Sequence, residues 1–119
     1  MQVRCVRIIS TEGEELQHHP SVTVGEVYDV VAIQCVPECE TSVLIYCEAD
    51  KGPSWWSIHM FTVESPEIPA NWTISIGSDG ELHIGLPQVR VPGFLEHLYM
   101  GDDEAKRTFE EVFLRFRSS

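Results

Sequence analysis

The sequence predicts an α+β fold: a small antiparallel β-sheet or barrel with a β-hairpin extension and a C-terminal amphipathic helix. Short β-branched runs fill the first half, an alternating hairpin pattern follows two prolines, and apolar residues recur at helical spacing near the end. The 119 residues suit a single domain. Within it we expect barrel-like strands over 1–63, a hairpin extension over 64–91 and a helical end over 92–119.

The first part contains three compact β-branched segments, at residues 3–9, 27–33 and 43–47, and an aromatic segment at 55–63. The segments at 27–33 and 43–47 predict a hairpin, and the aromatic segment is long enough for one or two strands. Residues 11–21 are rich in polar and turn-forming side chains, so we expect a loop there. No helical period competes with this pattern, which indicates a small sheet or barrel.

The extension begins at Pro66 and Pro69, which favour an extended crossing segment. Residues 72–76 and 82–85 each alternate apolar and polar side chains around a glycine-containing turn at 77–80. We therefore expect a second hairpin whose apolar side chains share one face.

The helical end begins with one or two turns over 92–99, which Gly101 ends. A last helix follows, with acids from Asp102 to Glu104 at its positive end. Its apolar stripe is Ala105, Phe109, Val112, Phe113 and Phe116. We expect this stripe to pack over the sheet as core.

The chain is strongly acidic. Nineteen acidic and eight basic side chains give a formal net charge of −11, and Lys51 is the only basic residue between residues 11 and 89. A phosphate backbone would repel this chain, so the charge argues against nucleic acid and favours either a basic protein partner or simple solubility. No stretch is apolar enough for a membrane span and residues 1–10 lack a signal-peptide pattern, which predicts a cytoplasmic protein without a membrane partner.

Four cysteines in such a chain predict reduced thiols. Cys35 and Cys39 have C-x3-C spacing, but the histidines supply no matching second ligand pair, so we expect no metal site and no cofactor. A redox or metal role for Cys35 and Cys39 stays an open alternative. Cys5 and Cys47 lie in apolar strand patterns, where a thiol behaves as a small hydrophobe.

The sequence contains none of the catalytic motifs that spacing can reveal. It has no G-x-S-x-G turn, no phosphate-binding loop, no H-E-x-x-H pair and no dinucleotide-binding glycine pattern. We therefore expect a protein that is not an enzyme.

Trp55 and Trp56 are the most informative aromatic residues, because they directly follow a turn at 50–53. Adjacent residues of a strand face opposite sides. One tryptophan should therefore face the core, while the other faces outward or lies under the C-terminal segment. An exposed tryptophan flanked by acids would suit the centre of a binding surface.

The sequence VGEVYDV at 24–30, followed by the aromatic pair at 55–56 and by Phe-Thr-Val at 61–63, resembles a pattern in small bacterial and phage domains with a Src-homology-like barrel. The resemblance covers about the first half of the chain. It implies the barrel fold and no particular function. Long loops at 12–20 and 36–42 depart from the pattern.

The second half resembles segments of small bacterial immunity proteins of polymorphic toxin systems. The segments that carry this resemblance are PANW at 69–72, GELHIG at 80–85, PGF at 92–94 and GDDEA at 101–105. Such proteins are typically short, acidic, cytoplasmic and without catalytic residues. The resemblance therefore implies binding to a toxin domain inside the cell.

Together these observations predict a non-catalytic binding protein that neutralises a basic toxin domain, of the nuclease kind, through an acidic surface. An aromatic anchor would supply the desolvated centre of the interface. The expected partner-binding residues are Glu38, Glu40, Glu48, Asp50, Trp55 and Trp56. Two alternatives stay open: a phage or plasmid accessory barrel module for protein assembly, and a small enzyme with an unrecognised site.

Overall fold

The structure, a computed structural model, describes residues 1–48 and 52–114. It contains a mostly antiparallel sheet and a short helical end, which confirms the predicted α+β class. The strands are β1 (Gln2–Cys5), β2 (Ile8–Ile9), β3 (Glu15–Leu16), β4 (Val27–Cys35), β5 (Ser42–Cys47), β6 (Gly52–Ser57), β7 (Phe61–Ser65), β8 (Thr73–Ile76) and β9 (Leu82–Gly85). The helices are α1 (Phe94–Tyr99) and α2 (Asp103–Phe109), with 3-10 turns at Ile58–Met60 and Pro87–Arg90 and a π-helical turn at Glu110–Leu114.

The main sheet is organised around β4, the longest strand. β5 pairs along one side of β4, while β1 and β9 share the other side. On the outside of these strands, β6 pairs with β5, β7 pairs with β1 and β8 pairs with β9. Nine residues give β4 the length to hold two neighbours on one side. Each of the three outer strands has a single neighbour among the described residues, so the sheet is open and does not close into a barrel.

Both predicted hairpins are confirmed. β4 pairs with β5 as the sequence pattern indicates, and β8 pairs with β9. In the second hairpin Ile74 lies opposite Ile84 and Ile76 opposite Leu82, so the apolar side chains share one face.

Two details differ from the sequence prediction in the first part. The expected strand at 3–9 is interrupted after Cys5, because the backbone N–H groups of Val6 and Arg7 both donate to the carbonyl of Met60, at 2.8 and 3.4 Å. The chain then restarts as β2, which pairs with β3 inside the expected loop. A strand of two residues has no period to detect, which is why the sequence reads as a loop there.

Two hydrophobic cores lie on the two faces of the sheet. On β5, Val43 and Ile45 belong to the first core, while Leu44 between them belongs to the second. A register shift in β4 between Val30 and Ala32 turns two successive residues of that strand toward the second core. Partly buried Trp72 packs against both cores and so joins the crossing segment to the sheet.

The helical end covers the second core. The Asp102 carboxylate caps α2 by accepting a hydrogen bond from the N–H of Ala105 at 3.2 Å. Phe109 and Phe113 are buried, with ring centroids 5.0 Å apart, so the amphipathic prediction is confirmed for these residues; Phe116 lies outside the described residues. No helix in the described ranges is long and apolar enough to cross a bilayer.

Candidate functional site

Two hairpin turns lie side by side at one end of the sheet. The β4–β5 and β8–β9 turns are brought together because Cys35 of β4 pairs with Leu82 of β9. The turns are adjacent, since a side-chain Cβ at Gly80 would lie 3.5 Å from Cγ of Pro37. Four acidic side chains on these turns form what we call the acidic end: Glu38, Glu40, Asp79 and Glu81.

The acidic end is open to solvent and contains no basic residue of its own. Glu38, Glu40 and Asp79 are exposed and Glu81 is half-buried, and neither turn contains lysine or arginine. One nearby imidazole approaches it: Nε2 of His59 lies 3.2 Å from a carboxylate oxygen of Glu40. Such clustered carboxylates produce a negative potential that reaches about 8 Å into solvent at physiological ionic strength.

Glu38 has an unfavourable backbone conformation. Its φ is 64°, and it is the non-glycine residue with positive φ among the described residues. The left-handed region costs a residue with a Cβ about 1 kcal/mol or more, which is why glycine and asparagine are usual there. Backbone strain of this kind is concentrated at functional sites, which makes Glu38 a candidate functional residue.

A cleft of about 730 Å³ opens next to the acidic end, between β6 and the β2–β3 pair. We call it the tryptophan cleft. Its lining includes Glu40, Trp55, Trp56, His19 and His59. The acidic end and the tryptophan cleft together hold four of the six residues expected to bind a partner: Glu38, Glu40, Trp55 and Trp56.

The two tryptophans are held on opposite faces of β6, as the alternation predicts. Trp56 packs against the first core, its indole N–H donates to Oγ of Ser54 at 2.7 Å, and the ring of His19 meets it edge-on at 4.9 Å. Trp55 packs against the second core, next to the helical end. Both tryptophans are half-buried, so neither is a fully exposed anchor.

The other expected residues do not join this surface. Glu48 follows β5 at the end opposite Glu40, and the six residues of that strand span about 20 Å. Glu48 instead lines a separate depression together with Glu26 and Asp29. Asp50 lies outside the described residues.

Sequence reasoning missed Asp79 and Glu81. The pattern places Asp79 in the turn at 77–80 and Glu81 at the start of the following strand, and it does not reveal which other turn lies beside them. The usable signal was the length of β4: a strand of nine residues leaves its second half free to pair with a later hairpin. That pairing places the two turns together.

The cysteines do not form a pair in this structure. None of the four is in a disulfide bond; Cys5 and Cys47 are buried, Cys35 is intermediate and Cys39 is exposed. Oγ1 of Thr41 donates to Sγ of Cys35 at 3.5 Å. Within residues 1–48 and 52–114, no group of three or more His, Cys, Asp or Glu side chains is placed to hold a metal ion.

No known protein family, curated protein or solved structure matches this chain. The resemblances to Src-homology-like barrels and to immunity proteins therefore stay predictions from the sequence.

Proposed function

We propose that this chain is a non-catalytic binding protein that neutralises a basic toxin domain, of the nuclease kind, through the acidic end and the tryptophan cleft. One observation carries the proposal. Four carboxylates without a lysine or arginine among them form the acidic end, and one of them, Glu40, also lines the cleft that contains Trp55 and Trp56. Charge accelerates encounter with a cationic groove, and aromatic contact slows dissociation, so the combination suits tight binding of a basic protein.

The proposed mode of neutralisation is occlusion. A nuclease holds the phosphates of its substrate with lysine and arginine side chains. Carboxylates at the acidic end offer the same cations a charge-assisted hydrogen-bond partner, and they need no chemical step. The bound protein then blocks entry of nucleic acid.

The test is co-purification from the native host with three forms of the chain. The acidic-end variant carries Glu38→Lys, Glu40→Lys and Asp79→Lys. The loop variant carries Glu26→Lys, Glu48→Lys and Glu67→Lys, which are also exposed, lie outside the acidic end and the tryptophan cleft, and produce the same change in net charge. Retained proteins are identified by mass spectrometry, and the retained domain is then assayed for nuclease activity.

Wild type and the loop variant should retain a basic protein and inhibit its nuclease activity. The acidic-end variant should neither retain that protein nor inhibit it. Equal loss in both variants would show that net charge alone matters and would remove the acidic end as the site. Retention of an acidic or neutral protein by all three would remove the proposal itself.

A second candidate, a small enzyme, is favoured by the approach of His59 to Glu40 inside the cleft. A carboxylate that orients an imidazole is a common arrangement in general acid–base catalysis. Both side chains are more than half exposed, at 66% and 53%, so water screens the pair strongly. Stoichiometry separates the candidates. A binding protein neutralises its partner at one equivalent of protein per partner. An enzyme inactivates its target at far less than one equivalent, and the His59→Gln variant would lose that activity.

A further inference from the structure

β8 is an edge strand whose open side carries regularly spaced backbone hydrogen-bonding groups. Among the described residues it pairs with β9 alone. The N–H of Gly77, just after β8, donates to the carbonyl of Glu81 at 2.9 Å. Bonded and non-bonded pairs alternate along an antiparallel ladder, so the N–H and C=O groups of Ile74 and Ile76 point away from β9. These groups are available to a further strand.

The side chains of the same two residues form an apolar strip. Ile74 is 70% exposed and Ile76 is 74% exposed. Their cross-strand neighbours in β9, Ile84 and Leu82, are half-buried and extend the strip across the hairpin. Apolar side chains and unpaired backbone groups thus occur at the same positions.

The other two edges of the sheet are protected against strand addition. β6 contains Pro53, which lacks a backbone donor. β7 has a register shift in its pairing with β1, and its exposed Glu64 is engaged by Arg4 at 2.7 Å. Bulges, prolines and charged side chains are the usual devices that blunt an edge. β8 has no proline, charged residue or register shift.

We propose that the edge of β8 accepts an extended segment of the basic partner as an additional antiparallel strand. This inference rests on the proposed function, because it states how that partner docks. Apolar side chains of the incoming strand cover Ile74 and Ile76, and lysine or arginine side chains at its end reach Asp79 and Glu81 in the adjoining turn.

Charge decides between this occupant and a second copy of the chain. Two copies would each bring a net charge of −11 to the contact. A basic segment instead gains attraction from the acidic end, which begins just past the strand. We take the incoming segment to run antiparallel to β8, as neighbouring strands do in the rest of the sheet. In that direction, each of its side chains lies directly opposite a β8 side chain on the same face.

The probe is a capped synthetic peptide with valine at three alternating central positions, threonine between them and two lysines at each end. Two methylated forms provide the control. In an antiparallel pairing over Ile74 and Ile76, the valine N–H groups face β8 and the threonine N–H groups face away. Methylation of the valine nitrogens should weaken binding at least about tenfold, whereas methylation of the threonine nitrogens should change it less than about twofold.

Two protein variants test the same edge from the other side. Ile76→Pro removes an N–H that β9 does not use, and Ile74→Lys places a cation on the apolar strip. Val63→Lys on β7 is the matched control, since Val63 is also an exposed apolar residue of an edge strand, at 56%. Both β8 variants should bind the unmethylated peptide at least about tenfold more weakly, while the control binds like wild type; thermal melts confirm folding.

Each contrary outcome overturns the inference. If methylation of the threonine nitrogens abolishes peptide binding while methylation of the valine nitrogens does not, the antiparallel pairing is wrong. A dimer in sedimentation that Ile74→Lys dissociates assigns the edge to a second copy. If a basic protein is captured by both β8 variants and lost by the acidic-end variant, strand addition is wrong and the proposed function stands. If the peptide binds as stated while no basic protein is captured, the proposed function is wrong and the edge still binds strands.

Discussion

His83 is a buried histidine whose two ring nitrogens have no hydrogen-bond partner among the described residues. It lies on β9 opposite Ser75, and it is 5% exposed. Burial disfavours the imidazolium form, and the positive charge of Arg90 adds repulsion, so the pKa of His83 lies below its usual value of 6.5.

This lowered pKa makes the stability of the protein dependent on pH. In the unfolded chain His83 binds a proton near pH 6.5, while in the folded chain it stays neutral to a lower pH. The unfolded state therefore binds more protons in that window, and the free energy of unfolding should fall as the pH drops from about 6.5 toward the folded pKa. Urea melts of wild type and His83→Gln at several pH values measure the difference.

The variant should have a flatter pH dependence across this window than wild type. The control is Thr73→Gln, because Thr73 is an exposed residue of β8 that does not titrate, so this variant should keep the slope of wild type. Parallel pH profiles for wild type and His83→Gln would contradict the buried, neutral state of His83.

The thiols should react in the order of their exposure. Cys39 is exposed and should react first with a thiol reagent, and Cys35 should follow. Cys5 and Cys47 are buried and should react only when the protein unfolds; burial also raises the pKa of the Cys5 thiol, which lowers its thiolate fraction. Mass spectrometry of partly labelled protein gives the order. Early labelling of Cys47 would contradict the packing of the first core.

For single residues, the sequence predicts burial when the alternation within one strand determines it. It does not predict burial that is caused by a separate element of the fold. The alternation Leu82-His83-Ile84 places His83 on the polar face of a hairpin. In the structure that face is covered, so His83 is buried. Trp55 and Trp56 were predictable as opposed side chains, because alternation is a local property of a strand.

The contact between β4 and β9 depends on a glycine. Gly85 has a φ of 154°, and a Cβ at this position would lie 2.5 Å from Cα of Ala32, which is backbone that cannot move aside. Gly25 has a φ of 95° but nothing within 4 Å of its Cβ position. Gly25→Ala therefore measures the conformational cost alone, while Gly85→Ala adds the collision.

Gly85→Ala should lower the free energy of unfolding by about 3 kcal/mol or more, and Gly25→Ala by about 1–2 kcal/mol. Urea denaturation of both variants provides the comparison. Similar losses at the two positions would mean that β9 does not approach β4 as closely as described.

The second core depends on the aromatic residues of the helical end. Phe109 is 4% exposed and stacks on Tyr46 with ring centroids 6.1 Å apart. Phe109→Ala should cost about 3–5 kcal/mol of unfolding free energy. Met100→Ala, at a residue that is 82% exposed, should change it by less than about 0.5 kcal/mol. A cost below about half a kilocalorie for Phe109→Ala in a urea melt would refute the amphipathic assignment.

Elements with a sustained period were predictable, and elements held by distant contacts were not. The two hairpins and α2 each extend over enough residues to reveal their period. The π-helical turn after α2 has no such signal in the sequence, and there the side-chain amide of Asn71 donates to the carbonyl of Val112 at 3.0 Å. The pairing of β4 with β9 likewise depends on chain topology.

The distribution of charge over the whole molecule follows from that topology. The sequence shows an acidic middle, and the fold divides it between the acidic end and the separate area around Glu48. Glu48→Lys should therefore weaken binding of the partner less than Glu40→Lys does. Which acidic side chains share one surface depends on which turns meet, and that depends on the pairing of β4 with β9.

The most direct test of the central claim is the rate at which the chain associates with the basic partner as salt is increased. Stopped-flow fluorescence of Trp55 and Trp56 reports binding without a label, because both line the cleft. Between low and high ionic strength the association rate of wild type should fall at least about tenfold, while the dissociation rate changes less than about threefold. The loop variant should keep this dependence and the acidic-end variant should lose most of it. An association rate that salt leaves unchanged, or that the acidic-end variant retains in full, would contradict recognition through the acidic end.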